Sequence, residues 1–147
     1  PARYSNDQLY KLNSELLSNY DFEKIISLLG DNKGSFNREF WDCIKHNISN
    51  RSEVFEWIRV IDEPINIDID IEYEYLNVAQ DLLPNEPWNI ETWDQWILKI
   101  KEKTQRKGKD LFMPIRLALT GKTKGPELNK LILLMGYNKV IERLKRK

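Results

Sequence analysis

Residues 107–128 read KGKDLFMPIRLALTGKTKGPEL and hold the side chains of this chain best suited to chemistry. Arg116 stands among Pro114, Ile115, Leu117, Ala118 and Leu119, surroundings in which an unpaired guanidinium is costly, so an anionic or hydrogen-bonding group has to meet it. Lys107 and Lys109 precede it, and Lys122, Thr123 and Lys124 follow in a Gly-Lys-Thr-Lys-Gly-Pro turn. Lysines collect phosphate with little sequence preference, whereas an arginine can bond a base edge through its fixed fork. Unstacked bases need apolar platforms, which Pro126, Leu128, Phe112 or Trp93 can supply, at about 1–3 kcal/mol per aromatic-stacked base. These are the parts of a surface for single-stranded nucleic acid. A structural alternative stays open: Arg116 clamps a neighbouring acidic group such as Asp110 or Glu127.

Charge distribution favours a polyanion. The formal net charge is zero. Residues 1–98 nevertheless carry 8 Lys/Arg against 19 Asp/Glu, a balance of −11, while residues 99–147 carry 15 against 4, a balance of +11. Such asymmetry between halves points to nucleic-acid contact, with mutual attraction of the halves as the plain alternative. The acidic run Asp68, Asp70, Glu72, Glu74 is read as solvated charge rather than as a weak cation site.

Several reaction classes lack their parts. One histidine (His46) and one cysteine (Cys43) exclude a Cys/His zinc site and an internal disulfide, and the single thiol fits the cytoplasm. No GxSxG, GxGxxG or GxxxxGK[ST] occurs; Arg116 stands where a P-loop glycine would precede Gly121-Lys122-Thr123. The longest apolar run, Leu131 to Met135, is too short to span a bilayer, so no membrane contact is expected. The chain opens at Pro1 rather than Met, which reads as a piece of a longer protein.

Helical periodicity dominates the elements that must position these residues. Ser5 with Gln8 forms a capping-box start for a helix carrying Leu9, Leu12, Leu16 and Leu17. Asp21 caps a second helix that stops at Gly30. A third is marked by Phe36, Phe40, Cys43, Ile44 and Ile48, and a fourth runs from Asn50 with Glu53 towards Pro64. Ile65, Ile67, Ile69 and Ile71 alternate with polar residues, but a lone strand has nothing to pair with, so 63–71 is expected to be an extended connector leaning on one helical surface. Helices resume at 72–83 and at Thr92, the latter burying Trp93, Trp96, Ile97 and Ile100. Asp110–Thr120 forms a short helix in which Pro114 is tolerable only in the first turn. Pro126 is expected at the first position of the next helix, and Asn138 as the cap of the last. The expected fold is all-α: two small helical bundle subdomains, 1–62 and 63–147, joined by an extended connector.

The segment KGKDLFMPIRLALTGKTKGPEL, followed by LILLMG and VIERL, strongly resembles the C-terminal end of bacterial glutamyl-tRNA synthetases. EFWDCIKHNI, EVFEWIRVI and LLPNEPWNIETWDQW resemble the region preceding it in that family, so the likeness runs along the chain in order. The resemblance implies an anticodon-binding region whose partner is the anticodon stem-loop of tRNA. It also implies a monomeric, cytoplasmic parent enzyme using ATP and Mg²⁺ in a separate catalytic domain. The HIGH and KMSKS-type motifs of that domain do not occur here, so no cofactor is expected in this chain. Arg116 matches the arginine of the family's PLRxALTG motif, at the anticodon bases; Gly125, Pro126 and Leu128 match the turn and helix start at the same loop. Lys109, Lys122, Thr123 and Lys124 are the flanking candidates. Where discriminating members place an arginine for the third anticodon base, this chain has Asn47, which implies relaxed discrimination and charging of tRNA(Gln) as well as tRNA(Glu). A helical protein-interaction module docking a basic partner through the acidic half is the alternative function.

Overall fold

Helix α1 (Asn6–Ser18) begins as its capping box dictates: the Ser5 hydroxyl accepts the Gln8 N–H, and the Gln8 side chain accepts the Ser5 N–H. The computed structural model describes residues 5–67 and 72–145, the Tyr10 side chain excepted. They are helical throughout their regular elements, with no strand among them. The chain divides into two compact units, Pro1–Pro64 and Ile65–Lys147.

In the first unit, Asp21 caps α2 (Phe22–Leu29) by accepting the Lys24 N–H at 2.9 Å, and Gly30, at φ 60°, ends it into a short 3₁₀ turn. Asn37 caps α3 (Arg38–Ile44), accepting the Phe40 N–H at 2.8 Å. Helix α3 is shorter than its apolar spacing suggests: Phe36 and Ile48 are buried but lie outside it, because the Asn37 cap starts the helix after Phe36 and the chain turns after Ile44. Asn50 caps α4 (Arg51–Asp62). Phe22, Phe36, Phe40 and Trp41 pack ring on ring, and Trp57, Ile58 and Ile61 face inward from α4. Asp62 ties α4 back to the Gly34–Ser35 turn by accepting both the Ser35 N–H and its hydroxyl. Among the described side chains of α1 only Leu17 is buried, while Leu9, Leu12 and Leu16 of the stripe expected to face a core stay exposed.

The second unit contains α5 (Tyr73–Asp81), α6 (Thr92–Thr104), α7 (Lys109–Thr120), α8 (Leu128–Met135) and α9 (Tyr137–Leu144). Its core is built from Leu76, Trp96, Ile100, Leu111, Ile115, Leu119, Leu131, Ile132 and Val140. The Trp96 indole donates to the Ala79 carbonyl at 2.8 Å. Of the expected connector, residues 68–71 lie outside the described residues, as do Asp68 and Asp70 of the acidic run; Ile65 and Ile67 are half-buried beside Gly121. Two expected starts are displaced: α8 begins at Leu128, two residues after Pro126, and α9 begins at Tyr137, behind Gly136 at φ 80° rather than behind an Asn138 cap.

Pro114 departs from expectation in an informative way. It sits in the second turn of α7, where a proline cannot donate to the carbonyl four residues back, that of Asp110. Arg106 supplies the missing donor: its Nη1 reaches the Asp110 carbonyl at 3.0 Å. The same guanidinium forks onto Glu72 at 2.8 and 3.1 Å and lies 4.0 Å from the centroid of the Tyr75 ring. The Tyr75 hydroxyl in turn donates to the Leu111 carbonyl at 2.5 Å, and burial pushes its pKa up to about 12. At the other end of α7, Gly121 at φ 70° closes the helix onto the Leu117 carbonyl. The buried Thr120 hydroxyl donates to the Arg116 carbonyl at 2.8 Å, and Arg143, 4% exposed, donates from Nη1 to the Leu119 carbonyl at 2.7 Å. A cation there also complements the negative end of the helix dipole.

Arg143→Met should destabilise the chain by about 1.5–3 kcal/mol in urea unfolding, the range for a hydrogen bond from a charged donor; a change within about 0.5 kcal/mol, as for an ordinary surface substitution, would contradict this role. The Arg106 guanidinium holds the Glu72 carboxyl below its usual 4.5. Its stabilisation is therefore complete above that value and is lost as pH falls through the lower folded pKa. The stability difference between wild type and Glu72→Gln should shrink on acidification below 4.5; parallel pH curves would contradict the pair.

Candidate nucleic-acid interface

Helix α7 turns Leu111, Ile115, Ala118 and Leu119 into the core, each fully buried. Lys109, Phe112 and Arg116 recur at i, i+3 and i+7, which places them along one flank beside that core face. Arg116 is half-buried, and its Nη1 is shielded from solvent with no hydrogen-bond partner among the described residues. Burial lowers its pKa. The internal clamps allowed by the sequence do not form: Glu127 pairs with Lys130 at 3.2 Å, and the contribution of Asp110 is its carbonyl, taken by Arg106. An unmet donor on a half-buried cation is a cost that calls for a reason.

The basic turn is folded against the C-terminus of the same helix. The Lys122 N–H donates to the Thr120 hydroxyl at 3.0 Å, which starts the turn, and Thr123 and Lys124 are exposed at its tip. Lys109, the first residue of α7, is exposed; Lys122 and Gly125 are half-buried. Pro126 and Leu128 are buried, which corrects their expected use as stacking platforms: their side chains support the turn from within the core. Trp93 is also not the core residue expected of it. It is half-buried, edge-on to the buried Trp96 at 5.6 Å and stacked on Phe112 at 6.3 Å and 22°. Asn47 lies exposed in the first unit, in the turn after α3, where its N–H donates to the Ile44 carbonyl at 2.8 Å. The structure thus brings Lys109, Arg116, Lys122, Thr123, Lys124 and Gly125 onto one helix and its turn, and leaves Asn47 on a separate unit.

Sequence reasoning missed the four residues that position α7, namely Glu72, Tyr75, Arg106 and Arg143. For Arg143 a signal existed. It sits at i+3 from Val140 and beside Leu144 on the apolar face of α9, the same anomaly that singles out Arg116. For Arg106 the only clue was Pro114 eight residues later. Among the described residues, no group of three or more His, Cys, Asp or Glu could hold a metal ion, and no helix is long and apolar enough to cross a membrane.

Residues 15–147 match the family described as "Anticodon binding domain". Glutamate–tRNA ligase 1 of Chelativorans sp. (strain BNC1) is 40% identical over 97% of this chain, which covers 32% of that protein. Glutamate–tRNA ligase 1 of Ehrlichia ruminantium (strain Welgevonden) is 34% identical over 98% of the chain, again covering 32% of the relative. The chain therefore spans about a third of the length of these relatives. A crystal structure of glutamate–tRNA synthetase from Elizabethkingia anophelis superposes with a TM-score of 0.67 at 18% identity over 97% of this chain and 31% of that one, which establishes a shared fold. An all-α chain whose arginine-bearing helix and basic turn stand on the matched segment belongs to the anticodon binding domain family.

Proposed function

We propose that this chain is the anticodon-recognising part of a glutamate–tRNA ligase, and that Arg116 meets an anticodon base of tRNA(Glu). The single observation that carries this reading is the half-buried Arg116 Nη1, left without a protein partner on the segment that resembles the family's PLRxALTG motif. A base edge supplies the acceptors it lacks, and an unpaired loop exposes such edges. Lys109, Lys122, Thr123, Lys124 and Gly125 take the phosphates beside it, which contributes affinity and salt dependence rather than base choice.

The catalytic part belongs to the length of the relatives that this chain does not span. There ATP and Mg²⁺ would serve glutamate activation, in a monomeric cytoplasmic parent. Docking of a basic partner through the acidic half is the weaker reading, because Glu72 is already engaged by Arg106. Asn47, in the place of a discriminating arginine, supports charging of tRNA(Gln) alongside tRNA(Glu).

Arg116→Ala should weaken the cognate anticodon stem-loop by about 1–3 kcal/mol and relax anticodon preference, whereas Lys124→Ala should weaken all RNAs alike and reduce the salt slope by about 1. Unchanged affinity and preference in Arg116→Ala, in gel shifts at two salt concentrations, would overturn the assignment. In the parent enzyme, Asn47→Arg should suppress glutamylation of tRNA(Gln) and spare tRNA(Glu); a wild-type enzyme that never glutamylates tRNA(Gln) rules out the relaxed specificity.

A further inference from the structure

Three aromatic rings climb from the core of the second unit to its surface. Trp96 is fully buried and donates to the Ala79 carbonyl. Trp93, half-buried, meets it edge-on at 5.6 Å. Phe112 lies nearly parallel to Trp93, at 6.3 Å and 22°, and is 37% exposed. The first two rings are anchored by packing, so the outermost is held in place by a rigid stack rather than carried on a mobile loop. Ordering costs little further entropy when a ligand adds one more ring. Core packing accounts for Trp96 and for one side of Trp93. Phe112, unlike its helix neighbours Leu111 and Ile115, keeps part of its ring at the surface.

The position of Phe112 on α7 gives the stack a use. Residues four apart on a helix are neighbours, so Phe112 and Arg116 stand one turn apart on the same flank, about 6 Å along the axis. Lys109 precedes Phe112 by three residues on that flank and is exposed. Cation, ring and guanidinium in that order match the three recognisable parts of one unpaired nucleotide: its phosphate, the face of its base and the edge of its base. We infer that the Trp93–Phe112 stack is the platform for the anticodon base whose edge Arg116 meets, and that Phe112 therefore contributes to tRNA affinity through ring stacking. This inference rests on the assignment of Arg116 to the anticodon, and of the four platforms the sequence allowed it selects the Trp93–Phe112 pair. Stacking is indifferent to base identity, since every base has a π face, so Phe112 supplies affinity and leaves the choice of base to Arg116.

The test uses the 147-residue chain and the anticodon stem-loop of tRNA(Glu), intact and with a single abasic nucleotide at each anticodon position in turn. Phe112→Leu keeps apolar contact with Trp93 and removes the ring; Phe112→Tyr keeps the ring. Phe112→Leu should weaken the intact stem-loop about 5- to 150-fold, and Phe112→Tyr should bind like wild type. Against the one abasic loop lacking the stacked base, Phe112→Leu should cost almost nothing. Phe112→Leu binding the intact loop as well as wild type would overturn the platform, as would a loss of the same size against every abasic loop. Arg116→Ala separates the two levels. If it weakens the intact loop and Phe112→Leu does not, the platform fails and the arginine assignment stands; if neither variant changes binding, the assignment itself fails.

Discussion

The second unit depends on helix α7 being fixed at both ends by arginines from other elements. Pro114 leaves the Asp110 carbonyl without its helical partner, and Arg106, already forked onto Glu72 and stacked on Tyr75, fills that gap. Arg143 does the corresponding work at the far end, on the Leu119 carbonyl. Both guanidiniums meet acceptors that the helix cannot satisfy itself, so their desolvation is offset by charge-assisted bonds. Arg116 lies between them on the same helix without that compensation. Two arginines hold the helix, and the Nη1 of the third has no hydrogen-bond partner among the described residues.

That contrast separates a structural arginine from the one proposed to bind. Sequence context cannot, because Arg116 and Arg143 both sit among apolar residues at helical spacing. The hydrogen-bond inventory can, since a buried donor is expected to have a partner and the exception calls for a reason. Because Arg116 Nη1 is itself shielded from solvent, an incoming acceptor reaches it only if the guanidinium turns outward. The surrounding lysines, on an exposed helix start and turn tip, suit the role of non-selective phosphate contacts, screened by salt as the half-buried arginine is not.

Much of this was legible in the sequence, for local physical reasons. The Ser5–Gln8 box, the Asp21 and Asn50 side chains, and Gly30 set helix ends through interactions within a few residues, and such interactions read directly off the chain. The cap at Asn37 overrode apolar periodicity that seemed to begin α3 at Phe36, and the turn after Ile44 left Ile48 outside it. Pro114 defied the first-turn rule because its compensation comes from Arg106, a residue before the helix begins. Pro126 and Leu128 carry the family's turn, yet their side chains are spent on the core. Trp93 went the other way, from expected core to half-buried support for Phe112, because burial on a helix edge depends on which neighbour covers it. Long-range pairings such as Tyr75 with Leu111 left no local pattern to read.

The central claim is that the unmet Arg116 donor is satisfied by an unpaired base. Nitrogen NMR of the arginine guanidiniums, recorded while the anticodon stem-loop of tRNA(Glu) is added, addresses it most directly. The account predicts that the Arg116 Nη protons shift and become protected from solvent exchange with the cognate loop, and not with a loop of unrelated sequence, while the Arg106 and Arg143 signals hold still. Saturating binding that leaves the Arg116 signals unmoved would contradict it.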